Sequence, residues 1–177
     1  TPNNYTGPDQ VFGQIQSNSV KEIPSEHYWE SKDVLTPYIP LKHKSDRQIE
    51  SIPPSLEDAI MIFILTCAVR NLRGDKTSHK SMMVNVSVSI GVQTQVKLLI
   101  NQYLKDLLES ISVNYGLEKD ALQDDDISKL NFLYTQEFKK EPWNDVLLEL
   151  NKAASKIEVL EINSNSGDSL SYEDDDY

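Results

Sequence analysis

The sequence is poor in cysteine and has no long apolar run. Cys67 is the only cysteine among 177 residues, so no disulfide can form within the chain, and a reducing, cytoplasmic setting is expected. The longest apolar stretch, residues 59–69, is far shorter than the roughly 20 residues of a transmembrane helix. The first residues also lack the features of a secretory signal. We therefore expect no membrane association.

Motifs for nucleotide, zinc or nucleophile chemistry are also missing. Neither GxxxxGK[ST] nor GxGxxG occurs, which excludes a P-loop formed within this chain. One cysteine and three dispersed histidines do not have zinc-ligand spacing, and Cys67 lies in an apolar helical pattern where packing is expected rather than catalysis. The sequence predicts no catalytic residue, no metal site and no cofactor within the chain.

A metal-dependent nuclease is the alternative enzymatic hypothesis. Such a site needs an acid together with an acid-x-Lys motif around one ion, and Glu30 with Lys32, or Glu137 with Lys139, has that spacing. The first pair lies in a proline-rich segment and the second in a helical pattern. We interpret both as surface charge.

A third hypothesis is a protein-interaction module that uses exposed aromatic residues and an acidic tail.

Three regions differ in composition. Residues 1–54 contain seven of the eight prolines and no helical period, which predicts an irregular, extended segment that wraps around the rest of the protein. Residues 55–162 are predicted to form the core. Residues 163–177 are rich in Ser, Asn and Asp and are expected to be an acidic, disordered tail. Both ends look cut, so we expect a piece of a longer polypeptide.

Helical patterns dominate the core. The first helix is predicted from Ser55, as its N-cap, to about Arg73, with Gly74 ending it. A helical insertion is predicted over residues 117–156, in two pieces broken at Pro142. Asp124 and the two aspartates after it are interpreted as the N-terminus of the first piece; a metal site is the alternative, but no further ligand follows at calcium-loop spacing.

Two segments have the alternation of strands. Residues 81–90 and 157–162 alternate apolar and polar side chains. After Gly91 the period changes to three and four, which predicts a long amphipathic helix closed by Gly116. Strand, helix and strand in this order predict an α/β fold with a partial βαβ unit.

Charge is unevenly distributed along the chain. The chain has 17 Lys and Arg and 28 Asp and Glu, so its net charge is −11. This negative charge disfavours DNA binding. One cluster opposes this trend: Arg70, Arg73, Lys76, His79 and Lys80. Basic residues after a helix complement its dipole, and phosphate contact is the alternative interpretation. We take these five residues as the candidate nucleic-acid contacts and refer to them below as the basic turn.

Three stretches resemble the Z1 domain, a family of bacterial proteins regarded as endonucleases and associated with superfamily 2 helicase-type ATPases. They are residues 4–13 (NYTGPDQVFG), residues 52–56 leading to residues 70–74 (RNLRG), and residues 79–87 (HKSMMVNVS) continued by Val92 and Gln93. Together they span residues 4–115. A basic residue often follows the serine equivalent to Ser87 in this family, and here Val88 holds that position.

The resemblance implies a place within a motor protein. The strand predicted at residues 81–90 and the long helix after it would be the first elements of the second RecA-like lobe of an ATPase. Residues 117–156 would then be a helical insertion in the crossover. The chain would then be a fragment of a larger ATP-dependent DNA-acting protein of a restriction, defence or repair system, not catalytic on its own. The partners implied are the ATPase lobes of the same polypeptide and DNA; ATP and Mg²⁺ are implied for the full-length protein.

Overall fold

The structure, a computed structural model, describes residues 21–28, 37–117, 120–138 and 140–163. Within these ranges the chain folds into four α-helices. They are α1 (Pro54–Leu72), α2 (Ile90–Asn114), α3 (Asp125–Glu137) and α4 (Trp143–Ala154). Short 3₁₀ helices lie at Ser25–His27 and Asp120–Gln123. None of the helices in these ranges is long and apolar enough to cross a bilayer.

The predicted α/β fold is wrong, because the described residues contain no β-strand. Residues 81–90 and 157–162 were predicted as strands; residues 81–89 and 157–162 are irregular, Ile90 begins α2, and no neighbouring strand lies in these ranges. A strand requires a hydrogen-bonded partner as well as a suitable side-chain pattern. The partial RecA-like βαβ unit, and the crossover that residues 117–156 were expected to interrupt, are therefore not supported; those residues belong to the helical core itself.

The alternation in residues 81–90 does not separate one buried side from one exposed side. Met82 and Val86 are partly buried against the core, but Val88 is fully exposed and Met83 is 90% exposed. Successive side chains of a strand point to opposite sides, so Val86 and Val88 would share a side in a regular strand. Only part of the predicted apolar side therefore packs on the helices.

Helix α1 begins and ends near the predicted positions, but its N-cap is different. Pro53 is the N-cap and makes no side-chain capping bond; its carbonyl accepts the N–H of Leu56 at 2.8 Å. The Ser55 hydroxyl lies 2.8 Å from Nδ1 of His27 and does not cap the helix. At the other end, Gly74 has a φ of 90°, the left-handed conformation that glycine adopts readily after a helix.

The core lies among the four helices. Helices α1 and α2 each pack on both α3 and α4. Pro142 is the N-cap of α4 and separates it from α3, as predicted. Asp124 is the N-cap of α3, also as predicted. The largest fully buried side chains come from every helix: Met61, Ile64, Leu65, Leu107, Ile111, Ile127, Leu130, Leu147 and Leu150.

The segment before α1 is fixed to α2 by one glutamine. The Gln95 side chain accepts the N–H of Ile49 at 2.9 Å and donates to the carbonyl of Arg47 at 3.0 Å. Ile49 and Ile52 are buried in the core. Residues 41–52 are thereby held against the first turns of α2. The predictions for residues 1–20, 29–36 and 164–177 fall outside the described part of the chain.

Candidate nucleic-acid interface

The basic turn follows α1 and contains its own counter-charge. Nε of Arg70 donates to Oδ2 of Asp75 at 2.7 Å. Hydrogen bonds from Ser78 and Arg70 lower the pKa of Asp75, so this carboxylate stays ionised. Arg70 is therefore already paired with an acid five residues away.

Arg73 is paired as well, with an acid from the α3–α4 connection. Its Nε lies 2.7 Å from Oε1 of Glu141. The hydrogen bond from Arg73 lowers the pKa of Glu141, while the Tyr134 hydroxyl donates to the Glu141 backbone carbonyl. The guanidinium thus helps to hold the end of α1 against the residues that precede α4.

Lys80 completes a hydrogen-bond network within the turn. Its Nζ donates to Oδ1 of Asn71 at 2.8 Å and to the Asp75 carbonyl at 2.9 Å. Asn71 in turn donates to Oε1 of Glu149 on α4 at 3.0 Å. Arg70, Arg73 and Lys80 thus form contacts within the protein, whereas Lys76 and His79 of the basic turn are exposed. Phosphate contact by the turn stays a prediction.

A second group of cations lies along an open groove. The groove has a volume of about 730 Å³ and runs between two irregular segments, residues 41–44 and 85–88. Its lining residues are Leu41, Lys42, His43, Lys44, Asn85, Val86, Ser87 and Val88. No acidic side chain is among them. We call this feature the basic groove.

Hydrogen bonds around Ser87 fix the two walls of the basic groove. Nδ1 of His43 lies 3.0 Å from the Lys44 carbonyl, and Nε2 lies 3.1 Å from the Ser87 hydroxyl oxygen. A carbonyl can only accept, so Nδ1 carries the proton and, in the neutral ring, Nε2 accepts from Ser87. The Ser87 oxygen also accepts the N–H of Ser89 at 2.9 Å. The spacing between the walls is thus set by specific side chains.

Gly91 allows residues 41–47 to lie close to the start of α2. A Cβ at this position would lie 3.1 Å from the Ser45 carbonyl oxygen. The Ser89 hydroxyl donates to the same oxygen at 3.3 Å. Because glycine has no side chain, the backbone of this segment can pass directly over the first turn of the helix.

The lysines of the basic groove are available to an anionic ligand. Lys42 and Lys44 are exposed, and neither forms an ion pair with any residue that the structure describes. Two unpaired ammonium groups two positions apart produce a local positive potential, despite the net charge of −11. The sequence analysis missed this surface. The short run Lys42, His43, Lys44 was visible, but its contact with a segment more than forty positions away was not.

The candidates for metal or nucleophile chemistry do not form a site in the described ranges. Within them, no group of three or more His, Cys, Asp or Glu side chains is placed to hold a metal ion. Glu137 forms an ion pair with Lys21, and Glu30, Lys32 and Lys139 are not described. Cys67 is buried, and burial raises the pKa of its thiol, which favours the neutral, less nucleophilic form.

Comparison with known proteins establishes the family. The Z1 domain model matches residues 55–177, which is more than half of the chain. The chain belongs to the Z1 domain family. The match includes the second and third resembling stretches from Ser55 onward and extends beyond residue 115, whereas residues 4–13 lie outside it. No curated protein and no solved structure shows significant similarity to the chain.

Proposed function

We propose that this Z1-family chain contacts the phosphate backbone of DNA through the basic groove, whose lysines precede the matched residues 55–177. It would do so within a larger cytoplasmic, ATP-dependent protein that acts as a helicase or endonuclease in bacterial restriction, defence or repair. The observation that carries the proposal is the pair Lys42 and Lys44, unpaired along a groove without acidic side chains. Phosphate contacts position a protein on DNA and require little beyond cations and hydrogen-bond donors.

The groove also offers a neutral donor beside its cations. Asn85 lies on the wall opposite the two lysines. Amide side chains are common phosphate contacts next to lysine. Because only about two phosphates can be neutralised here, we expect weak, sequence-independent binding with a shallow dependence on salt. Such a surface would position DNA for chemistry carried out elsewhere in the larger protein.

ATP and Mg²⁺, which the family resemblance implies, do not fit the residues of this chain. The sequence has no P-loop motif, and the described residues contain no cluster of candidate metal ligands. We therefore assign ATP hydrolysis and any strand cleavage to other parts of the larger protein. Cleavage of plasmid DNA by residues 1–177 with Mg²⁺, abolished by Glu137→Ala, would overturn this assignment.

Fluorescence anisotropy with a labelled DNA duplex tests the groove. The double variant Lys42→Ala/Lys44→Ala should bind at least tenfold more weakly at low salt. The slope of log affinity against log salt should fall by about two, one for each lost phosphate contact. The matched control is Lys105→Ala/Lys156→Ala, which removes the same charge from exposed positions outside the groove. Equal losses in both variants would reduce the effect to net charge and contradict the proposal.

A further inference from the structure

Asn163, the last described residue, lies beside the basic groove. We call the residues that follow it, 164–177, the acidic segment. Nδ2 of Asn163 donates to Oε1 of Gln93 at 3.1 Å. Nε2 of the same Gln93 donates to the carbonyl of Ser87 at 2.7 Å. Ser87 is a groove residue. A single glutamine side chain therefore separates the start of the acidic segment from the wall of the groove.

The position of Asn163 is supported by further contacts. Its side chain also donates to Oε1 of Glu161 at 2.7 Å, and that carboxylate oxygen accepts from the Thr94 hydroxyl at 3.0 Å. Thr94 and Gln93 both lie in the first turns of α2. Residues 161–163 are thus fixed along the N-terminal end of α2, which is the end that residues 41–47 cover.

We propose that the acidic segment of this same chain occupies the basic groove and competes there with DNA. This regulatory proposal rests on the proposed function of the groove. The segment contains five acidic residues and no basic one, and four of the acids are consecutive: Glu173, Asp174, Asp175 and Asp176. A run of carboxylates has the charge and the acceptor oxygens that a DNA backbone would bring to the same lysines.

Chain length permits the contact. Ten residues connect Asn163 to Glu173, and an extended chain of ten residues spans at most about 36 Å. The groove begins within two hydrogen bonds of Asn163. Tethering at such short range gives an effective concentration on the order of 1 mM. A contact of modest intrinsic affinity is then populated without any external partner.

The basic groove is better suited to this segment than the exposed helical lysines Lys105 and Lys152. Lys105 and Lys152 lie on helices α2 and α4, each with a glutamate at helical spacing, Glu109 and Glu149 respectively. Residues three or four apart on a helix face each other, so these acids reduce the local potential. Lys42 and Lys44 have no acidic side chain among the residues that share their groove.

Carbodiimide cross-linking of the 177-residue chain tests the contact without DNA. This reagent joins a carboxylate to an amine only when the two groups touch. Mass spectrometry should find peptides that link Lys42 or Lys44 to residues 173–176, and these links should be lost in 1 M salt because screening weakens the contact. Mixing isotope-labelled with unlabelled protein shows which copy supplies the segment. Cross-links between a labelled and an unlabelled peptide would mean that a second copy supplies it, and would overturn the proposal. Cross-links spread evenly over all exposed lysines would overturn it as well.

DNA affinity supplies the second measurement. The full-chain variant Glu173→Gln/Asp174→Asn/Asp175→Asn/Asp176→Asn should bind duplex DNA about fivefold more tightly, because the competitor is weakened. The matched control neutralises four exposed acids that do not line the groove: Glu22→Gln, Glu26→Gln, Glu109→Gln and Asp120→Asn. It should change affinity by less than twofold, and an equal gain in both variants would overturn the proposal.

The two proposals fail in different ways. If cross-links form but Lys42→Ala/Lys44→Ala binds DNA as the wild type does, the groove is not the DNA site, yet the internal contact stands. If that variant loses DNA affinity but no cross-link to residues 173–176 forms and the neutralised segment changes nothing, the internal contact is wrong and the groove function stands.

Discussion

The Ser110 hydroxyl of α2 donates a 2.7 Å hydrogen bond to Oδ1 of Asp124, the N-cap of α3. The same oxygen accepts the backbone N–H groups of Asp126 at 3.0 Å and Ile127 at 3.1 Å. One carboxylate therefore caps a helix and joins it to its neighbour. The short 3₁₀ helix Asp120–Gln123 directly precedes this cap.

Removing the cap should destabilise the fold. We expect Asp124→Ala to lower the free energy of unfolding by about 1–2 kcal/mol, because it leaves N–H groups of the first turn without an acceptor. Asp124→Asn, which keeps an acceptor oxygen, should cost about half as much. Urea denaturation measures both. Asp125→Ala is the control, since Asp125 is exposed and does not cap; a loss as large as that of Asp124→Ala would contradict the capping role.

Acid should abolish the contribution of this carboxylate. Burial disfavours the ionised form, but hydrogen bonds from Ser110 and from backbone N–H groups outweigh it, so the pKa of Asp124 lies below its ordinary value. A lowered pKa gives stability that is fully present above the unfolded pKa of about 3.9 and is lost as the pH falls through the folded pKa. The stability difference between wild type and Asp124→Asn should be constant from pH 7 to pH 5 and shrink below about pH 4. A difference that grew on acidification would reverse the sign and refute this.

Paired substitutions can test how residues 81–89 pack on the helices. Val86 is partly buried against the helical core, whereas Val88 is fully exposed. Val86→Asp should lower stability by about 1–3 kcal/mol, because it places a charge against apolar side chains. Val88→Asp should change stability by less than about 0.5 kcal/mol. Thermal denaturation checks both; equal costs would contradict the difference in burial between the two valines.

Charge-neutral substitutions can separate structure from binding in the basic turn. Arg70→Ala/Asp75→Ala and Arg73→Ala/Glu141→Ala each remove an observed ion pair without altering net charge. We expect DNA affinity to stay within twofold of wild type, and stability to fall only slightly, because solvent screens both ion pairs. Anisotropy and denaturation measure the two effects. A tenfold loss of affinity in either variant would restore the basic turn as the main contact.

Helices were predictable here because their signals are local. Gly74 and Gly116, both at positive φ, end α1 and α2 as expected, and Pro142 separates α3 from α4. Asp124 was recognised as a cap from its place before an apolar period. The N-cap of α1 was misassigned because Pro53 and Ser55 both suit a helix start. The Ser55 hydroxyl instead contacts His27, which is distant in sequence and therefore not visible in the local pattern.

The two strand predictions failed, and the basic groove was missed, because both depend on long-range contacts. Alternation in residues 81–90 and 157–162 gives a strand only where a second strand lies beside the segment, and the local pattern does not show that neighbour. The basic turn was chosen for its density of cations, yet two of its arginines have acidic partners, one of them Glu141, far along the chain. Lys42 and Lys44 gain their setting from residues 85–88. Pairing and burial, which decide the function of a cation, are not encoded locally.

The close approach at Gly91 makes the position of the segment that carries Lys44 depend on the absence of a side chain at the start of α2. A Cβ at this position would lie 3.1 Å from the Ser45 carbonyl oxygen, so the backbone next to Lys44 would have to move. A single uncharged substitution at Gly91 would therefore displace one of the two cations of the basic groove without adding or removing an ionisable group.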